Sequence, residues 1–335
     1  MISRENNFDL IRLFAALQVA IVHAFRYLQI NELTTTIYGG AFRGVYMFFV
    51  ISGFLVASSF DRNKNFKRYI RNRLLRIVPA LWTAFILLVI VLVYFGFINQ
   101  RTITNPKLWA WSFGQLTLFQ FYTPSILRDF GVGAPNGSLW TISVEFCFYL
   151  LLPIFFVIKK HRNVSIVLCM FLSIAINMLL ASHDSEEIIY KLVSTSIVSW
   201  LYCFLFGSII YLNWDRIKSF FEGKALIYFL LYLLYVIFIS KPSYKLHNVE
   251  ELGANLLLGM FTISLAYTLP KLGKVLHGFD ISYGFYVYHM IIVNVFVQLG
   301  RVGKVEYVVE SLLISIMMGC LSWKYIEKKA LQLKS

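Results

Sequence analysis

Charge is scarce in this chain: Asp, Glu, Lys and Arg make up 14% of its 335 residues, against 59% hydrophobic, and the mean hydropathy is +0.69. No soluble domain of this length can hide so much apolar surface in one core, so the solvent must be a bilayer. Cysteine is sparse too. Cys147, Cys169, Cys203 and Cys320 all fall inside apolar runs, with no C-x-x-C pair and no metal-ligand spacing. That pattern argues for small buried hydrophobes and for no metal centre. A small-residue cleavage site is missing after the first apolar run, which is long and carries Arg12 and His23. It reads as a retained helix, not a signal peptide. Internal repeats, low-complexity tracts and an appended soluble domain are absent as well. The expectation is one membrane domain over residues 1–335 whose chemistry comes from the bundle itself.

What is present is a recurrence of apolar runs, each long enough to cross about 30 Å of hydrocarbon as a helix with its backbone satisfied internally. The spacing predicts an all-α polytopic bundle of about ten spans: Phe8–Leu28, Gly44–Phe60, Val78–Phe97, Ser138–Ile158, Val164–Ala181, Leu192–Leu212, Ala225–Ser240, Leu252–Leu269, Ile281–Leu299 and Tyr307–Trp323. The formal net charge is +14. In a membrane protein such an excess marks cytoplasmic loops and not nucleic-acid binding. Segments on the amino-terminal side hold about twice as many Lys and Arg as the others, which predicts both termini in the cytoplasm. Between the third and fourth spans, Asn99 to Gly137 is too long for a simple turn. Its Trp109, Trp111, Phe119, Phe121 and Tyr122 suggest that part of it lies in the interface or folds back over the helices.

Ionisable groups inside spans cost several kcal/mol unless paired or hydrated, so each is a functional candidate. They are Arg12 and His23 in the first span, Glu145 in the fourth and His289 in the ninth, with Asp9 at the edge of the first. Arg12 and His23, eleven residues apart, share a helix face and lie about 16 Å apart along its axis. Glu145, on a helix entering from outside, falls close to the depth of His23, so a carboxylate and an imidazole could form an acid–base pair. Blander readings stand beside these. Asp9 and Arg12 could be an i, i+3 ion pair; Glu145 could bond Thr141 or Tyr149 on its own helix; His289 could simply bridge helices. The basic stretch Lys67-Arg-Tyr-Ile-Arg-Asn-Arg-Leu-Leu-Arg-Ile-Val-Pro79 holds the R-x-x-R pairs Arg68/Arg71 and Arg73/Arg76. On a helix each pair offers forks suited to phosphate, although inner loops gather arginine in any case.

Taken together, Arg12-x10-His23, Phe48-Phe-Val-Ile-Ser-Gly-Phe54, Arg73-Leu-Leu-Arg-Ile-Val-Pro79, Ser138-Leu-Trp-Thr-Ile-Ser-Val-Glu145 and Ser282-Tyr-Gly-Phe-Tyr-Val-Tyr-His289 resemble the acyltransferase-3 family, bacterial membrane O-acyltransferases that decorate glycans. The pieces occur in the family's order and span nearly the whole chain. The resemblance implies a cytoplasmic acyl-CoA donor, usually acetyl-CoA, no metal, and a glycan or lipid-linked sugar hydroxyl reached from outside a bacterial cytoplasmic membrane. It implies essential roles for Arg12 and His23, a supporting acid in Glu145, and donor contacts at Arg73, Arg76 and Arg12. Asn72 departs from the arginine run of many relatives, and the esterase-like carboxy-terminal domain of larger members is not found. Ser52, Trp140 and His289 are the expected substrate contacts, Ser52 as a candidate oxyanion donor or as helix packing with Gly53, and Trp140 by stacking on a sugar or by interfacial anchoring. The expected partners are acyl-CoA, the sugar acceptor and membrane lipid, with self-association left open. The alternative from another class is a transporter or flippase for an acyl or glycan substrate, since intramembrane His, Glu and Arg also mark transport paths.

Overall fold

The computed structural model describes residues 6–30, 43–158, 160–183, 187–240, 249–268 and 278–334. Among these the chain is helical without a strand. The principal helices are α1 (Phe8–Tyr27), α2 (Gly44–Arg62), α3 (Phe66–Tyr94), α4 (Pro106–Leu116), α5 (Trp140–Val157), α6 (Arg162–Leu180), α7 (Ile197–Leu212), α8 (Ala225–Tyr235), α9 (Val249–Ala266), α10 (Ser282–Gln298) and α11 (Val305–Ser322). Eight helical stretches are long and apolar enough to cross a membrane, nine if the bent pair Trp214–Phe220 and Ala225–Ile239 is one span. The remaining expected span is α10, an apolar helix of 17 residues. The end expected for the eighth span, Leu269, lies outside the described residues.

Two departures have a clear physical origin. α3 starts at Phe66 and not at Val78, because a helix does not end where hydropathy falls; its arginine-rich first turns simply leave the apolar zone. The last span does not stop at Trp323: a π-helical turn, Trp323–Glu327, carries it into Lys328–Gln332. The long segment between α3 and α5 contains α4, started by Asn105, whose side chain accepts from Lys107 N, and by Pro106 at the first helical position. Of its tryptophans Trp111 is buried and Trp109 exposed. Of the four cysteines only Cys203 is buried; the other three are half-buried and all are free.

The contacts divide the chain into two compact units. One comprises Met1–Ala15, Gly40–Ile70 and Val144–Gly278. Its centre is the packing of α2 on α7, where glycines let the backbones approach: a Cβ on Gly53 would overlap the Phe204 carbonyl oxygen, and one on Gly207 the Val50 carbonyl oxygen. Ser208 Oγ donates to Gly53 O at 3.1 Å across the same seam. α2 runs unbroken through Ser52 and Gly53.

The other unit comprises Ala16–Gly39, Arg71–Ser143 and Phe279–Ser335, with α10 buried along almost its whole length. Asp280 starts α10, its Oδ1 accepting from Ser282 N and Oγ, an acidic group at a helix amino terminus. Gly300 ends it at φ +69°, with Arg301 N donating to Phe296 O. Gly319 lets α11 pack on α10 against the Phe285 backbone. The segment between α4 and α5 folds back onto α10, one of the two placements expected for it: Asn294 Oδ1 accepts from Val132 N at 2.8 Å, and its Nδ2 donates to the Ala134 and Pro135 carbonyls.

Candidate active site

In the second unit the aromatic stretch ahead of His289 serves as a hub. Tyr283 Oη donates to Ile77 O at 2.9 Å and Tyr288 Oη to Thr83 Oγ1 at 3.0 Å, both on α3. Tyr286 Oη meets Thr141 Oγ1 at 2.8 Å and donates to Ser138 O at 3.3 Å. A buried tyrosine needs a partner for its hydroxyl, and three tyrosines bonded to α3 and to the start of α5 fix the rotation of α10 about its axis. That rotation turns His289 inward, where it is 1% exposed.

His23 is carried by the later part of α1. The end of that helix is clipped by Gly303 N, which donates to Leu28 O at 2.8 Å. His23 Nδ1 lies 3.0 Å from His289 Nε2. The two ring planes differ by 14° with centroids 5.2 Å apart. That separation is what an edge-to-edge hydrogen bond gives, and it is too wide for a face-to-face stack at contact distance. His289 Nδ1 in turn meets the carbonyl of Tyr286 at 2.5 Å. His23 itself is half-buried. Spacing alone suggested a carboxylate beside His23; the ring bonded to it is another imidazole, from 266 residues away.

Arg76, on α3, forms an ion pair with Asp280, both largely buried. The guanidinium expected to meet a phosphate is thus already engaged with a carboxylate. Asp280 was not singled out in the sequence because it precedes the apolar run. Glu327 was not either, because it lies past the expected end of the last span at Trp323. It is 2% exposed, its Oε1 accepting from Ser322 Oγ at 2.8 Å. Arg73 lies half-buried on the same helix as Arg76, and Trp140 half-buried at the first turn of α5.

In the first unit Glu145 Oε1 accepts from Ser52 Oγ at 2.9 Å and from Tyr149 Oη at 2.6 Å. The bond to Tyr149, one turn further along α5, is the own-helix pairing left open by the sequence. The other own-helix candidate, Thr141, gives its hydroxyl to Ser138 O instead. Ser52 spends its proton on Glu145, which leaves its hydroxyl no donor for an oxyanion in this arrangement. Arg12 pairs with Asp9 at 3.1 Å, the i, i+3 ion pair also left open.

Among the described residues no three His, Cys, Asp or Glu side chains gather as metal ligands. The second unit thus holds an imidazole pair, and the first, described by itself, a hydroxyl-supported carboxylate. Imidazoles and carboxylates are side chains suited to proton transfer.

A family model described as an acyltransferase domain matches residues 5–325. Nodulation protein 10 of Rhizobium leguminosarum bv. viciae is 30% identical, over 99% of this chain and 94% of that protein. The O-acetyl transferase of Shigella phage Sf6 is 24% identical, over 98% and 96%. The putative peptidoglycan O-acetyltransferase YrhL of Bacillus subtilis is 22% identical, over 96% of this chain but 54% of its own length. No solved structure matches.

Proposed function

Because this chain belongs to the acyltransferase domain family, we propose that it is a bacterial inner-membrane O-acetyltransferase. In this reading it transfers an acetyl group from cytoplasmic acetyl-CoA to a hydroxyl of an extracytoplasmic or lipid-linked glycan, with His23 as general base. The observation that carries it is the hydrogen bond at Nδ1 of His23: the ring is held through one nitrogen, and among the described residues no hydrogen bond occupies Nε2. The names of the phage and Bacillus relatives support acetyl as the group, and that of the Bacillus relative supports a cell-envelope glycan as the acceptor class.

The step balances without a metal or redox partner. His23 Nε2 takes the acceptor hydroxyl proton as the oxygen attacks the thioester carbonyl; the tetrahedral centre collapses, the C–S bond breaks, and the imidazolium returns the proton to the departing thiolate. An imidazole suits both directions because its ordinary pKa lies near neutrality. Glu145, held by Ser52 and Tyr149, is the supporting acid. Arg73, Arg76 and Arg12 are the donor-side cations, and Trp140 an acceptor contact. Both termini lie in the cytoplasm.

The test is release of free CoA from acetyl-CoA by purified protein on addition of a glycan acceptor. The wild type is expected to release it stoichiometrically with acetylated glycan. His23→Ala is expected to lower kcat by about 10²- to 10⁴-fold. Full activity in that variant removes His23 from the chemistry, and acceptor movement without CoA release turns the reading to a transporter.

A further inference from the structure

We propose that His289 is a positioning residue that sets the tautomer of His23, an assignment that rests on His23 being the base. A carbonyl oxygen only accepts, so the 2.5 Å contact between His289 Nδ1 and Tyr286 O places a proton on that nitrogen. A neutral imidazole has one N–H, which leaves Nε2 of His289 with a lone pair. His23 Nδ1, 3.0 Å from that lone pair, must then be the donor. Its own lone pair is forced onto Nε2, the nitrogen that faces the chemistry. An imidazolium at His289 would reverse this logic. At 1% exposure, with another imidazole and a backbone carbonyl as its hydrogen-bonding partners, it would be a buried charge without a counter-ion.

The chain of bonds is directional: Tyr286 O accepts from His289, whose Nε2 accepts from His23. Thr141 and Ser138 hold the Tyr286 ring, and the Gly303 clip holds the end of α1, so both ends of the chain are anchored. When His23 takes the acceptor proton at Nε2, the Nδ1–H bond to His289 becomes charge-assisted and strengthens. No proton passes to His289. An imidazole with a backbone carbonyl behind it thereby performs the orienting task a carboxylate performs in other acyl-transfer sites. The opposite tautomer, with hydrogen on Nε2, is the one a free histidine side chain favours in water, so the arrangement has a measurable consequence.

The experiment is ¹⁵N magic-angle-spinning NMR of histidine-labelled full-length protein in lipid bilayers, the His23 signals being identified by their loss in His23→Asn. The wild type is expected to show His23 protonated at Nδ1 and bare at Nε2. In His289→Leu the ring should revert to hydrogen on Nε2, kcat should fall about 10²-fold or more, and KM for acetyl-CoA should stay within about twofold. His289→Gln, whose side-chain oxygen can stand where Nε2 stood, should restore the Nδ1–H form and recover about tenfold or more over the leucine variant. Hydrogen on Nε2 of His23 in the wild type overturns the proposal, as does an unchanged tautomer in His289→Leu. Neither result depends on the His23→Ala activity, so failure here and failure of the general-base reading are distinguishable.

Discussion

His23, Glu145 and Arg76 each have a partner far along the chain that no spacing rule could name. His23 and Glu145 were legible because an ionisable group in an apolar run has a cost that demands a reason, and Arg76 because it closes an R-x-x-R pair. The partners were not. His289 lies 266 residues from His23 and Asp280 lies 204 from Arg76, and only the packing of separate segments brings them into reach. Where the partner is local, as with Asp9 for Arg12 or Tyr149 for Glu145, helix periodicity did list it among the alternatives. The Arg76–Asp280 pair carries its own prediction. Replacing Asp280 with Asn removes the ion-pair partner of a largely buried guanidinium, which costs about 3–5 kcal/mol. Thermal unfolding in detergent should show a lower midpoint for Asp280→Asn, partly recovered in Arg76→Met/Asp280→Leu. An unchanged midpoint in the single variant would mean the pair contributes nothing to the fold.

At the scale of elements, all ten expected spans correspond to helical stretches, and the misplaced ends are those where hydropathy and helix part company. Arginine-rich turns extend α3, and a π-turn extends the last helix until Glu327 is buried. The seam between α2 and α7 was half legible: Gly53 was recognised as a packing residue, but Gly207, its reciprocal across the interface, carried no signal of its own. Gly207→Val should push the Val50 carbonyl away and destabilise the protein by about 1–3 kcal/mol, read as a lower unfolding midpoint. A midpoint equal to the wild type would contradict the close approach. Three of the bonds that hold the segment before α5 to α10 end on one side chain, beside those from Gly131 N to Gln298 Oε1 and from Asn136 Nδ2 to Val287 O. Asn294→Leu removes its bonds to Val132, Ala134 and Pro135, and proteolytic cleavage within residues 131–136 should become faster while the helices stay intact. Equal cleavage rates would show that the segment is held by other means.

For the whole molecule, composition alone dictated the solvent: 14% charge and a mean hydropathy of +0.69 leave no option but a bilayer. The match to the acyltransferase family extends over residues 5–325, and the contacts gather into two compact groups. The proposed reaction asks this molecule to join a donor made inside to an acceptor found outside, and the half-buried imidazole of His23 is where that transfer would occur. The most direct test uses sealed proteoliposomes with acetyl-CoA enclosed and a glycan acceptor added outside, the protein being oriented with its termini inward. The wild type should form acetyl ester on the external glycan with matching loss of enclosed acetyl-CoA, and His23→Ala should form about 10²- to 10⁴-fold less in the same time. Ester formation by His23→Ala at the wild-type rate would contradict the account at its centre.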